Sequence, residues 1–173
     1  MALVPRGAVV AGALAVLLQA GCSGRATRPT VTDVDLSVAA SPVAGSPSLP
    51  VVADARVSNA GTTRVWHCEG CGCGNGIGLT VLGPDGVEVW LRDPNAALPL
   101  CPDAVMPLDP GRDLGARLVF TGTLYANGHP TFPSPTYPAP PGTYTVIARF
   151  TYAISVPGEW VPLERRTTFA WAP

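Results

Sequence analysis

Tyr144-Thr145-Val146-Ile147-Ala148-Arg149-Phe150-Thr151-Tyr152 is the stretch that decides the fold. Tyr144, Val146, Ala148, Phe150 and Tyr152 fall on one side of an extended chain, and Thr145, Ile147, Arg149 and Thr151 on the other. A period of two marks a strand with one face on a core. Pro140-Pro141-Gly142 precedes the strand, and a turn near Pro157-Gly158 returns the chain from Trp160 to Trp171.

The same period recurs upstream. Val51, Ala53, Ala55 and Val57 alternate with Val52, Asp54 and Arg56 until the turn Asn59-Ala60-Gly61. Gly78 to Leu82 and Val87 to Leu91 flank Gly83-Pro84-Asp85-Gly86, where Pro fixes φ, Asp supplies an acceptor and Gly tolerates positive φ. Ala104 to Leu108 closes on Asp109-Pro110-Gly111, and Leu114, Ala116, Leu118 and Phe120 alternate again. With 20 prolines and 19 glycines along its 173 residues, the chain is a poor helix former. The expectation is an all-β, immunoglobulin-like antiparallel β-sandwich of seven or eight strands, without internal repeats. Prolines at the sheet edges discourage edge-to-edge pairing.

Composition narrows the function. Eleven basic residues, all arginine, face 12 acidic ones, so no basic excess exists to neutralise phosphates and a nucleic-acid partner is excluded. An apolar content of 47% and a mean hydropathy of +0.27 argue against a disordered chain.

The start reads as a targeting segment. Arg6 precedes an apolar run from Ala8 to Ala20, long enough for a signal-peptide core and short for a membrane span of roughly 20 residues. Ala20-Gly21-Cys22 resembles a lipoprotein signal, with residues 1–21 removed and Cys22 carrying the lipid; Gln19 stands where an aliphatic residue is usual, and plain secretion is the alternative. The chain is then an exported lipoprotein of the cell membrane or outer membrane, facing the periplasm or exterior. Residues 22–50, rich in Ser, Ala and Pro, read as a tether to a domain at 51–173. Val34, Leu36 and Val38 alternate inside it, so a first edge strand is the other reading.

Cys68, Cys71, Cys73 and Cys101 cluster with His67. In an exported domain four cysteines make two disulfides. A bridge from Cys101 to Cys71 or Cys73 would contribute roughly 3–4 kcal/mol through the unfolded state, whereas Cys71–Cys73 is too tight. The competing readings are a zinc site and a redox role for Cys68-Glu69-Gly70-Cys71. No metal or other cofactor is expected. Gly70-Cys71-Gly72-Cys73-Gly74-Asn75-Gly76 lacks the Lys and the helix of a phosphate loop. His67 and His129 sit in no catalytic motif, so an enzyme is not expected and there are no candidate catalytic residues. Asp33 and Asp35 read as solvated carboxylates rather than a calcium site, and Glu164-Arg165-Arg166 as a solvated strand surface. Trp66, Trp90 and Trp160 read as core or sheet-face residues.

His129 to Gly142 holds six prolines. A stiff exposed segment loses little entropy on binding, which makes His129, Phe132, Ser134 and Tyr137 the candidate partner-binding residues. A rigid strand connection is the competing reading.

The order of these pieces resembles a known family. Val57-Ser58-Asn59-Ala60-Gly61, Leu79-Thr80-Val81-Leu82, Pro84 to Trp90, Pro107-Leu108-Asp109-Pro110-Gly111, Phe120 to Thr123, Asn127-Gly128-His129-Pro130 and Pro141 to Val146 together look like the BsuPI-like intracellular proteinase inhibitors of bacilli. The resemblance spans roughly Val51 to Tyr152. It implies an immunoglobulin-like domain and a serine proteinase as partner. The export signal and the cysteines depart from that pattern. A structural or assembly scaffold of the cell envelope is the alternative function.

Overall fold

The computed structural model describes residues 33–69, 76–96 and 104–173. The expected signal segment, Cys22, Cys71, Cys73 and Cys101 lie outside the described residues. Among those described there is no helix. Twelve strands run β1 Val34–Ser41, β2 Ala44–Gly45, β3 Val51–Asn59, β4 Val65–Glu69, β5 Gly78–Leu82, β6 Glu88–Val89, β7 Ala104–Leu108, β8 Asp113–Phe120, β9 Thr123–Tyr125, β10 Thr136–Pro138, β11 Gly142–Ala153 and β12 Trp160–Trp171. Eight of them have five residues or more, and the others are pieces of two or three.

The strands form an all-β sandwich. One sheet is β1-β3-β8. The other carries β2, β12 and β11 side by side, and along the far edge of β11 run β4, joined to β7, and β5, joined to β6. Every long pairing is antiparallel, and only the short β2 runs parallel, beside the end of β12.

Between the layers lie the residues that alternation selects. Tyr144, Val146, Ala148, Phe150 and Tyr152 are all buried, as are Val51, Ala53, Ala55 and Val57 opposite them. Phe120 is the hub of one half of the core, with ring centroids 4.8 Å from Tyr144, 5.0 Å from Phe169 and 5.0 Å from Trp171. The Tyr144 hydroxyl donates to Pro140 O at 2.8 Å, so the buried phenol keeps a hydrogen bond at the corner where β11 begins. Burial raises its pKa, with Tyr137 and Asp85 adding to the effect.

One open alternative is decided and one expectation changes. The stretch Val34–Ser41 is a strand and not a tether: it pairs with β3 over its whole length and buries Leu36 to 1% exposure. The Pro84-Asp85-Gly86 hairpin forms, with Gly86 N–H donating to Gly83 O at 2.9 Å. Its second strand is only Glu88–Val89, because Trp90 O accepts from Tyr125 N–H and turns the chain toward β9.

Candidate functional site

The proline-rich segment is a hairpin with a braced tip. β9 and β10 pair from Tyr125 and Thr136 to Thr123 and Pro138. Leu124 and Ala139 anchor the pair in the core, at 1% and 2% exposure. Ala126 N–H donates to Pro135 O at 2.9 Å and closes the loop at 126–135.

The brace comes from elsewhere in the chain. Asp93-Pro94-Asn95 folds back on itself, with Asn95 N–H donating to Asp93 Oδ1 at 2.9 Å and Ala96 N–H to Asp93 O at 3.2 Å. Such Asx turns are what Asp before Pro favours. The turn points Asn95 Nδ2 into the loop, 2.7 Å from His129 O, 2.8 Å from Thr131 O and 2.9 Å from Ser134 Oγ. Two of these partners are carbonyls, which fixes the orientation of the amide. Ser134 N–H donates to Asp93 Oδ2 at 2.8 Å. Partial desolvation pushes the Asp93 carboxyl up, but hydrogen bonds from the Asn95 N–H and from the Ser134 N–H and hydroxyl outweigh it. The net pKa is lowered.

The candidate residues separate into two roles. Phe132 is 70% exposed at the tip, and Tyr137 is 45% exposed on β10. His129 is exposed and its Nδ1 lies 2.7 Å from Thr131 Oγ1, which holds the ring to its own loop. Ser134 is 3% exposed, so it belongs to the brace and not to a contact surface. Asp93 and Asn95 were not among the sequence candidates. Their signal was the Asp-Pro-Asn turn, but nothing local says that the turn grips a loop so far along the chain.

The cysteine cluster is seen only through Cys68 and His67. Cys68 is disulfide-bonded, and every cysteine it could pair with lies outside the described residues. His67 is buried on the core side of β4, its ring 5.6 Å from Phe150. Adjacent strand residues point to opposite faces, so His67 and Cys68 do not converge on one metal. Among the described residues no group of three His, Cys, Asp or Glu is placed to hold a metal ion.

Charged candidates behave as surface. Asp35 pairs with Arg165 at 3.4 Å, and Glu164 sits between Arg166 and Arg149, whose hydrogen bonds lower its pKa. Trp66 and Trp160 lie on the outer face of the larger sheet, flanking Ala153 in register. Trp90 is half-buried at the bridge to Tyr125.

No family model and no curated protein matches the chain. Among solved structures it is similar to the ApaA protein of Bordetella pertussis, with a TM-score of 0.45 and 12% identity over 83% of this chain and 97% of that one. It is also similar to part of the β-glucosidase EmGH1 of Erythrobacter marinus, with a TM-score of 0.42, 12% identity, and coverage of 82% of this chain and 16% of the enzyme. A β-glucosidase of Listeria innocua gives a TM-score of 0.39 at 9% identity, with 82% and 16% covered. The chain thus spans less than a fifth of the length of either glucosidase.

Proposed function

We propose that this chain is a non-enzymatic binding module, exported and lipid-anchored at Cys22, that presents the loop at 126–135 to a protein partner of the serine-proteinase kind. The carrying observation is the contrast within the loop: Phe132 is 70% exposed while Asn95 and Asp93 hold the backbone on both sides of it. An aromatic ring on a pre-ordered backbone gives up little entropy when it enters a pocket. The resemblance to BsuPI-like inhibitors supplies the class of partner.

The test is titration of the purified domain against subtilisin-like and chymotrypsin-like proteinases, beside the Phe132→Ala variant. Inhibition at micromolar concentrations that weakens at least tenfold in the variant supports the reading. No inhibition removes the proteinase from it.

The exposed Trp160 and the Trp66–Ala153–Trp160 row favour a second reading, an envelope scaffold that contacts its partner through the outer sheet face. Capture from the envelope fraction separates the two: a proteinase in the eluate favours inhibition, an envelope complex favours scaffolding. Two disulfides among Cys68, Cys71, Cys73 and Cys101 belong to the same proposal. The intact mass checks them together with the anchor, since reduction would add four hydrogens and an acyl group would add its own mass.

A further inference from the structure

The turn that closes the longest hairpin carries apolar side chains into solvent. β11 and β12 pair in register from Gly142–Trp171 to Ala153–Trp160, and the turn between them reads Ile154-Ser155-Val156-Pro157-Gly158-Glu159. Ile154, Val156 and the flanking Trp160 are all exposed. Glu159 is the one charge from Ile154 to Trp160. Ser155 Oγ donates to Pro157 O at 3.2 Å, and a Cβ on Gly158 would overlap Ser155 O, so the turn is closed on itself. Val43, Leu49 and Val87 are exposed as well, at the other end of the sandwich beside β2 and in the 83–87 turn. Exposure alone therefore does not single out the tip. Its position does.

A chain of contacts links the tip to the start of β1. Ala153 pairs with Trp66, and the next residue back, Val65, pairs with Leu108. Leu108 O accepts from Asn59 Nδ2 at 2.9 Å, and Asn59 faces Val34 in the β1–β3 ladder. Asp33 O accepts from Ala60 N–H at 2.8 Å. These links cross both sheets and put Asp33 at the end of the sandwich that carries the tip. The Asp35–Arg165 pair agrees, since Arg165 lies five residues along β12 from Trp160. Eleven residues, Cys22 to Thr32, separate the expected lipid site from Asp33. A flexible coil of that length has a root-mean-square span of about 18 Å. Those eleven residues include Arg25 and Arg28 and no acidic residue, so anionic headgroups attract the segment.

We propose that the β11–β12 tip rests in the headgroup layer of the bilayer that holds the chain, with Ile154, Val156 and Trp160 as its contacts. This rests on the lipid anchor proposed at Cys22. An acyl group ties the chain to the surface and leaves its attitude free. Apolar side chains at the tether's own end fix that attitude. An anchored chain has already lost most of its translational freedom, so three exposed side chains suffice to hold the tip, where they would not recruit the chain from solution. Tryptophan suits the interface, with an apolar ring and an N–H that can meet water or a headgroup. A single charge among seven residues makes the contact apolar rather than electrostatic, with Glu159 left on the water side.

Tryptophan fluorescence of the exported chain tests this. The chain is purified from the membrane and reconstituted into vesicles of phosphatidylethanolamine and phosphatidylglycerol whose acyl chains carry bromine near the headgroup, a contact quencher. The expected result is quenched emission in the wild type, loss of most of that quenching in Trp160→Phe, and its retention in Trp90→Phe. Val156→Asp changes an exposed turn residue, so it should keep the wild-type circular dichroism spectrum and the anchor and still lose quenching at Trp160. An acylated wild-type chain without quenching overturns the proposal. So does quenching that survives undiminished in both Trp160→Phe and Val156→Asp. The intact mass of the same preparation separates the two readings. A mature chain without an acyl group removes the anchor and this proposal with it, whereas an acylated chain with unquenched Trp160 removes the tip contact alone.

Discussion

Asn95 and Asp93 act at the scale of single residues, and their effect is to order a loop they do not belong to. Asp93 has a folded pKa below its ordinary value of 3.8. A depressed carboxyl contributes stability that is present above its unfolded pKa and lost as pH falls through the folded one. The brace is therefore expected to hold at neutral and mildly acidic pH and to loosen only below the usual carboxylate range. The Ser134 amide resonance should shift there, and Asp93→Asn should remove that pH dependence. Gly122 makes a different demand. Its φ is +78° and a Cβ would stand 2.0 Å from Trp171 Cζ2. Gly122→Ala combines backbone strain with overpacking of a core indole and should cost roughly 3 kcal/mol or more, read as a lowered denaturation midpoint. Phe132 and Tyr137 were legible as exposed aromatics in a stiff segment. The burial of Ser134 was not, because a serine among prolines looks the same whether it faces water or an Asn amide from a distant turn.

At the scale of elements, alternation was sufficient for β3, β8 and β11, where each strand has one face on the core, and the Pro157-Gly158 turn placed β12 beside β11. It was insufficient where pairing is set from a distance. Glu88–Val89 stops short because Trp90 bridges to Tyr125, a contact no local pattern encodes. Val34–Ser41 looked half like a tether, since its apolar residues are few and small, yet its pairing with β3 makes it part of the fold. That yields a prediction about truncation. A chain starting at Val51 loses the burial of Leu36, worth about 1.5–3 kcal/mol, and bares the whole edge of β3. It should melt markedly lower than a chain starting at Asp33, or aggregate. Equal melting temperatures would mean that β1 adds nothing.

At the scale of the whole molecule, the two layers form a support and the loop at 126–135 is what they hold out. Phe120, Tyr144, Phe169 and Trp171 give one half of the core a dense aromatic centre, and Leu124 and Ala139 tie the hairpin to that same half. The all-β class and the strand period could be read from the residues. The brace could not, because it depends on the sandwich bringing the 93–95 turn alongside the loop. The central claim is that the loop is ordered before any partner arrives. Amide hydrogen exchange on the isolated chain at neutral pH tests it most directly. The account predicts that the Ala126 and Ser134 amides are protected to a degree approaching that of β9 and β10. Exchange of both at the rate of an unstructured chain would contradict it.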